Sequence, residues 1–531
     1  MGAGLMQLVL VGKISQFITQ NPQINYYKYL HNKHTNFSIE QVTLTPEGNA
    51  NAGFIKGATL NFKIGRYSDF LSNLFLTFKI PDIYSDNEYR FRWIPNLGYN
   101  YIKEARIKLG GVIIETLYGE WLNIWDELTN KEGIKNNKLI GNIDELVNPF
   151  NFVPKYTIIN NRLFNITYPI SVYSNTNNNP SIKGRQIQVP LNFWFTKNPS
   201  LALPLLKLQN IEILLEIDII DRGFNGLYQI WSDMLNMYVS PDLYELVHSK
   251  RVSIVDFVSP IDAKFDVRNE ILCSYVFLDS IERSKMLLNT NNIDYVISTS
   301  KRTHFLFDAV EKNKTIEITN ASHHIKELIW IVRRSDVINY FNDYINYTAV
   351  HEYTENMGIL ENIEIKWNGI ISRTDNNADF YNNIIPYKYH TNIPRTGLYC
   401  YSFSLFPEKQ ISAGSYDNTR VTTSLFITTK DNIANNSKVK YIHTLLNGDI
   451  HQYNADMLTK VLMDMGVVYE VKRSQAKRVL YAFLFGASGA KLWSYIFGTL
   501  DETYGKKLKA GFLKAVPGFK ALIEKLENIY G

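Results

Sequence analysis

His351-Glu352-Tyr353-Thr354-Glu355 is the segment of this chain that comes nearest to metal-dependent hydrolysis. A zinc-protease helix needs two histidines one turn apart, so that both imidazoles meet one ion while the glutamate activates water. Glu355 stands where the second histidine would be, and the ligand set fails. His323 and His324 are adjacent, which on a strand sends them to opposite faces. Gly486-Ala487-Ser488-Gly489 has the spacing of neither a nucleophile elbow nor a phosphate loop. Cys273 and Cys400 each lie within an apolar, strand-like run, residues 271–278 and 398–405. They read as neither a disulfide framework nor a metal knuckle, and they suit a reducing compartment. The expectation is a chain that is not an enzyme, with no catalytic residue, no cofactor and no metal ligand.

Positioning in this chain therefore serves architecture. A length of 531 residues exceeds one ordinary core and predicts about two to four domains. Aromatics reach 13% with 34 tyrosines, and Ile, Val, Thr and Phe are frequent, which favours strands. Ile102 to Leu109, the turn Gly110-Gly111 and the return Val112 to Thr116 read as a β-hairpin. Leu360 to Trp367, the turn Asn368-Gly369 and the return Ile370 to Thr374 repeat that pattern 258 residues later. Alternating aromatic strands follow each hairpin, at Pro190–Phe195 and Tyr399–Leu405, and further strands follow those at Leu208–Ile217 and Val421–Thr428. Two tandem copies of one β-domain is the economical reading. About 200 residues per copy, with many short strands and long loops, fits a jelly roll. The joint is expected at Asp221 to Gly226, where Gly and Asn interrupt the strand pattern. Between strands of the first copy, Tyr118 to Thr129 is expected to be a helix with Trp121, Ile124, Trp125 and Leu128 on one face packed into the core.

The formal charge of +5 is unevenly spread. Residues 471–531 hold eleven Lys or Arg against four Asp or Glu, whereas the other 470 residues hold 45 against 47. Leu508, Phe512, Val516, Phe519, Leu522, Ile523, Leu526 and Ile529 recur there at helical spacing beside six lysines, with Pro517 as a bend. The apolar run at residues 479–490 is too short to cross a bilayer. The tail reads as a helical appendage that either packs beneath a jelly roll or offers a basic face to an anionic membrane or nucleic acid. The opening residues lack a basic stretch and a long apolar run, so no secretory leader is expected.

Five segments carry a family resemblance. The first runs from Met1-Gly2-Ala3-Gly4-Leu5 through Asn21-Pro22 and Tyr26-Tyr27 to Asn36-Phe37-Ser38. The second starts at Asn96-Leu97-Gly98 and passes through the Gly110-Gly111 hairpin to Tyr118-Gly119-Glu120-Trp121 and Trp125-Asp126-Glu127-Leu128. The third is Phe193 to Leu205, the fourth His324 to Trp330, and the fifth Tyr401 to Glu408 with Ser412-Ala413-Gly414 and Asn418-Thr419-Arg420. In type and order these resemble the major capsid proteins of nucleocytoplasmic large DNA viruses. Two departures stand out: Lys409-Gln410-Ile411-Ser412 replaces an acidic, proline-containing stretch, and residues 471–531 extend past the usual family ending.

The resemblance implies an all-β double jelly roll with short inserted helices and a C-terminal helical extension. Its parts would be an inward-facing arm (1–25), jelly roll 1 (26–221), jelly roll 2 (222–470) and the basic tail (471–531). It also implies a virion subunit, assembled in the cytoplasm of the infected cell, that forms homotrimers meeting neighbouring capsomers and minor capsid proteins. Two similar domains about a threefold axis present six similar faces to a hexagonal lattice. Two other classes stay open: a scaffold or minor paralogue with the same fold, and a carbohydrate-binding or hydrolytic jelly roll.

Overall fold

A computed structural model describes residues 5–6, 12–22, 34–430, 502–504 and 506–508, apart from residues 86–88, 131–135, 153–155, 160–161, 166–167, 170, 174–177, 259–264, 289–293, 307–311, 319–323, 372–376, 410–412 and 420–421. The first barrel is built from β1 (Phe37–Leu44), β2 (Thr59–Lys63), β3 (Phe70–Lys79), β4 (Ile102–Leu109), β5 (Val112–Tyr118), β6 (Gln186–Pro190), β7 (Ile213–Ile219) and β8 (Glu270–Leu278). One sheet has the order β1-β8-β3-β6, the other β2-β7-β4-β5, and all these pairings are antiparallel. Along β7 the residues alternate without a break between buried and half-buried, so Ile213, Leu215, Ile217 and Ile219 point into the core. Alternation of this kind is what a sheet with one packed face requires.

The second copy uses β9 (Asn313–Glu317), β10 (Glu327–Ile331), β11 (Leu360–Trp367), β12 (Ile370–Ile371), β13 (Leu398–Ser402) and β14 (Thr423–Thr429). Its sheet order β9-β14-β11-β12 repeats β2-β7-β4-β5 strand for strand, and β10 pairs with β13 as β3 pairs with β6. The duplication extends to single side chains. Ile102, Ala105 and Ile107 are buried on β4, and Leu360, Ile363 and Ile365 are buried at the same positions on β11. Both hairpins turn where expected, with positive φ at Gly110 and Gly111 and at Asn368 and Gly369. Two consecutive left-handed residues match the strand twist, and Asn and Gly tolerate that region best.

Two expectations need correction. The joint expected at Asp221 to Gly226 lies inside the first core. Gly223–Gly226 is a tight 3-10 turn, and it delivers a fully buried Phe224 against Phe54, Phe78, Trp93 and Tyr101. The chain then returns as β8, inserted between β1 and β3, so residues up to 278 complete the first barrel. Gly223 interrupts the strand pattern because its φ of 54° serves a close turn.

The strand expected at Pro190–Phe195 ends at Pro190, and Trp194–Lys197 forms one helical turn. Phe193, Trp194 and Phe195 are all buried, which a strand with one packed face cannot achieve for three neighbours. The strand expected from Leu208 begins at Ile213. The second aromatic strand, expected at Tyr399–Leu405, pairs over Leu398–Ser402 and stops there.

In the expected arm, α1 (Lys13–Thr19) leaves Ile14, Phe17 and Ile18 more than 70% exposed. Most of the tail lies outside the described residues. Within it Leu508, one of the expected apolar stripe, is buried, whereas Glu502, Lys506 and Lys507 are exposed.

Candidate functional site

For a chain built of two barrels, the decisive geometry is where they meet. The expected helix forms as α2 (Gly119–Thr129), directly after β5. Leu122 is buried in the first core, while Ile124 and Leu128 turn the other way and pack with Leu398 of β13 and with Ile329 and Ile331 of β10. Trp121 and Trp125 stack at 5.5 Å between these contacts. The expected stripe is therefore core only in part: Ile124 and Leu128 are buried between the barrels, Trp121 is half-buried against both cores, and Trp125 is half-buried under Lys197.

Polar groups bracket this apolar contact. The Glu127 carboxylate accepts from Arg395 Nε at 2.7 Å and from the Arg395 backbone N–H at 2.8 Å. The Asn392 backbone N–H donates to the Leu128 carbonyl at 3.0 Å, and Asn392 Nδ2 donates to the Glu127 carbonyl at 3.1 Å. Those two carbonyls belong to the last turn of α2, where no donor within the helix reaches them, so the second barrel caps a helix of the first. Burial works against the Arg395 charge, but Glu127 outweighs it and raises the guanidinium pKa. At the other end of α2, Glu120 pairs with Arg333 at 2.9 Å. A third tie comes from Asn342, whose Nδ2 donates to the carbonyls of Asn225 at 3.1 Å and Tyr228 at 3.0 Å. Beside the clasp lies a polar cleft of about 860 Å³ lined by Asn123, Asp126, Glu127, Tyr353, Asp379 and Arg395.

Among the described residues, the histidine and cysteine segments that could bear chemistry separate in space. His351 is buried against the Phe341 ring at 4.8 Å, beside Arg334 and Asp336, on a bend and not on a helix. His324 lies on a short strand and Cys273 in the first core, and His323 and Gly486 to Gly489 fall outside the described residues. Cys400 is the exception. It shares a buried cluster with His390 and Glu327, whose ligand atoms all lie within 4.8 Å of one another. His390 Nε2 donates to Glu327 at 2.5 Å and Nδ1 donates to Glu408 at 3.3 Å. Burial disfavours charge on His390, yet hydrogen bonds to Cys400, Glu327 and Glu408 outweigh it and hold its pKa at about 11. Sequence reasoning missed this cluster because 63 residues separate Glu327 from His390.

Comparison with known proteins agrees with the geometry. Residues 25–279 match the family model of the major capsid protein N-terminus, and residues 282–451 match that of the large eukaryotic DNA virus major capsid protein. The break between the two matches falls just after β8. The major capsid protein of Phaeocystis pouchetii virus is 29% identical over 350 residues, covering 64% of this chain and 60% of that one. "Probable capsid protein 4" of Acanthamoeba polyphaga mimivirus is 24% identical over 505 residues, covering 76% of this chain and 88% of that one.

Among solved structures, the PBCV-1 virus capsid superposes with a TM-score of 0.53 at 17% identity, over 78% of this chain and 92% of that one. The Faustovirus major capsid protein gives 0.53 at 11% identity, over 79% and 91%. At these identities the superpositions show the fold alone, a double jelly roll with a few short helices. With the matches spanning both barrels, the chain belongs to the major capsid protein family of the large eukaryotic DNA viruses and is a structural capsid subunit.

Proposed function

We propose that this chain trimerises into a pseudo-hexagonal capsomer and that such capsomers tile an icosahedral shell. The observation that carries the reading is the duplication of one sheet order in two barrels that α2 and the Glu127–Arg395 clasp hold together. Two like barrels in fixed relation, repeated about a threefold axis, offer six like faces. Exposed apolar side chains supply area for such contacts: Phe37 and Ile39 on the edge strand β1, and Ile281 and Leu288 on α3 (Ser280–Leu288) between the barrels. Light scattering of the purified full chain tests the reading. A trimer that electron microscopy resolves as hexagonal particles is the expected result, and a stable monomer at micromolar concentration would sink it.

The arm, residues 1–25, is assigned to the inner face of the shell, where the exposed Ile14, Phe17 and Ile18 of α1 would meet minor capsid proteins. Such a face is costly to leave in water. Deleting residues 2–20 is expected to spare the trimer and impair particle assembly. The basic tail is assigned contact with the inner membrane or nucleic acid, and truncation after Glu470 is expected to remove binding to anionic liposomes or DNA. Assembly is placed in the cytoplasm of the infected cell. A second reading, a minor paralogue or scaffold, is favoured by one observation: Acanthamoeba polyphaga mimivirus has both a "Capsid protein 1" and a "Probable capsid protein 4" that match this chain. Abundance in purified particles separates the two readings.

A further inference from the structure

We propose that Glu327, His390 and Cys400 form a zinc-class metal site inside the second barrel, with Glu408 as the group that orients the histidine. The donors are one imidazole nitrogen, one thiolate sulfur and one carboxylate oxygen, the mixture that borderline-soft divalent ions select over magnesium or calcium. They come from three separate elements. Glu327 opens β10, Cys400 lies in the middle of β13 beside it, and His390 follows α4 (Ile385–Tyr389). Cys400 is fully buried, and the side chains of His390 and Glu327 are 0% and 8% exposed.

The spacing is close to what a metal needs. Tetrahedral zinc with bonds of 2.0–2.3 Å sets its ligand atoms roughly 3.3–3.6 Å apart. Here the three ligand atoms lie within 4.8 Å of one another, and Nε2 and the Glu327 oxygen are 2.5 Å apart. Opening that pair by about 1 Å brings it to the tetrahedral spacing. Glu408 completes the arrangement. Its Oε1 takes the Nδ1 hydrogen of His390 while its carboxylate is held by the backbone N–H and hydroxyl of Thr391, each at 2.6 Å. A carboxylate on one ring nitrogen directs the other toward a metal and strengthens it as a ligand.

The charge balances. The ion displaces one proton from Nε2 and one from the thiol, and its two charges replace theirs. The competitor for the site is thus the proton already shared with Glu327. Bound metal would also brace the seam, because His390 begins the segment whose Asn392 and Arg395 clasp α2.

Zinc chloride and cobalt(II) chloride, each added to the metal-free full-length protein, test the site. Wild type dialysed after zinc loading is expected to retain close to one zinc per chain by mass spectrometry. Cobalt is expected to give a thiolate charge-transfer band that Cys400→Ser abolishes, while Glu408→Gln keeps the band and weakens zinc binding by roughly 10- to 100-fold. A folded wild-type chain that retains no zinc and gives no thiolate band overturns the proposal and leaves a charge-paired histidinium. Equal zinc binding by wild type and Cys400→Ser overturns it too. Should the serine variant fail to fold, the wild-type cobalt spectrum decides alone.

Discussion

The two barrels share one strand plan but keep their cores differently. In the first barrel, rings from distant segments interlock: Phe224 touches Trp93 and Tyr101, Phe91 stacks on Tyr228, and Phe257 contacts both members of that stack. β8 returns from residue 270 to close the sheet between β1 and β3. In the second barrel, the core among the described residues is smaller, centred on Ile363, Ile365, Tyr381, Leu425 and Ile427, and it is extended by Ile124 and Leu128 from α2 of the first. A common topology therefore does not imply equal independence. The first barrel closes mainly on its own side chains, with Phe341 the one buried residue it takes from beyond β8 among the described residues, and the second leans on α2 of its neighbour.

The harshest test of that contrast is Phe224→Ala, which empties the centre of the first barrel. A buried Phe-to-Ala change costs about 3–5 kcal/mol. The first barrel is expected to unfold at markedly lower urea and to take the second with it, since α2 would lose its base. Retention of a cooperative transition at the wild-type midpoint would break the picture of the first barrel as the scaffold.

The next largest effect is one of pH. Glu115 on β5 is buried, and burial pushes its pKa up to about 7, despite Lys197 and the backbone N–H groups of Trp194 and Ser300, which pull it down. An unfolded glutamate titrates near its ordinary value of 4.5. Between those two pH values the folded state holds a proton that the unfolded state has released, so stability falls as pH rises through that window. The loss is about 3 kcal/mol at most, complete above pH 7 and absent below the unfolded value. Glu115→Gln keeps an oxygen for the Trp194 N–H, found at 3.0 Å in the wild type. Its urea midpoint is expected to change less than that of wild type between pH 4.5 and 8.

Third comes the seam. Glu127→Gln and Arg395→Gln, singly and together, should show a coupling of about 1–2 kcal/mol, as expected for a partly buried pair with hydrogen bonds to a charged group. Calorimetry is expected to resolve the variants into two transitions, with the second barrel melting first. Additive effects would mean that the apolar contact of Ile124 and Leu128 holds the barrels without the clasp.

The smallest effect concerns the two hairpins. Asn368→Ala puts alanine at a φ of 49° and removes the acceptor for the Thr422 N–H and hydroxyl, at a cost of about 1–2 kcal/mol. Gly110→Ala at 58° loses no side-chain bond but adds a Cβ where none stood, so it meets the full left-handed penalty and should shift the melting midpoint by a comparable amount through the backbone alone.

Much of this was readable in the chain, and the readable parts are local. Alternation along residues 102–109 and 360–367, and the turn chemistry of Gly-Gly and Asn-Gly, depend on near neighbours, so the repeat and its 258-residue offset stand in the sequence itself. The amphipathic spacing of α2 is equally local, since residues three and four apart share a helical face. What covers that face is not local: the sequence offered one core, and the fold placed Leu122 in one barrel and Leu128 against the other. The joint differs from its expected place for the same reason. Gly223 and Gly226 break a strand pattern whether the turn is a linker or the mount for a buried ring, and only the long-range pairing of β8 with β1 and β3 tells these apart. Cys400 looked inert because its sequence neighbours are apolar, while Glu327 and His390 reach it only after β10 and β13 pair. Composition, periodicity and turn residues settled the kind of structure. Contacts between residues far apart in the chain, formed only as the barrels close, decided where one barrel ends, what joins the two, and which buried groups share a site.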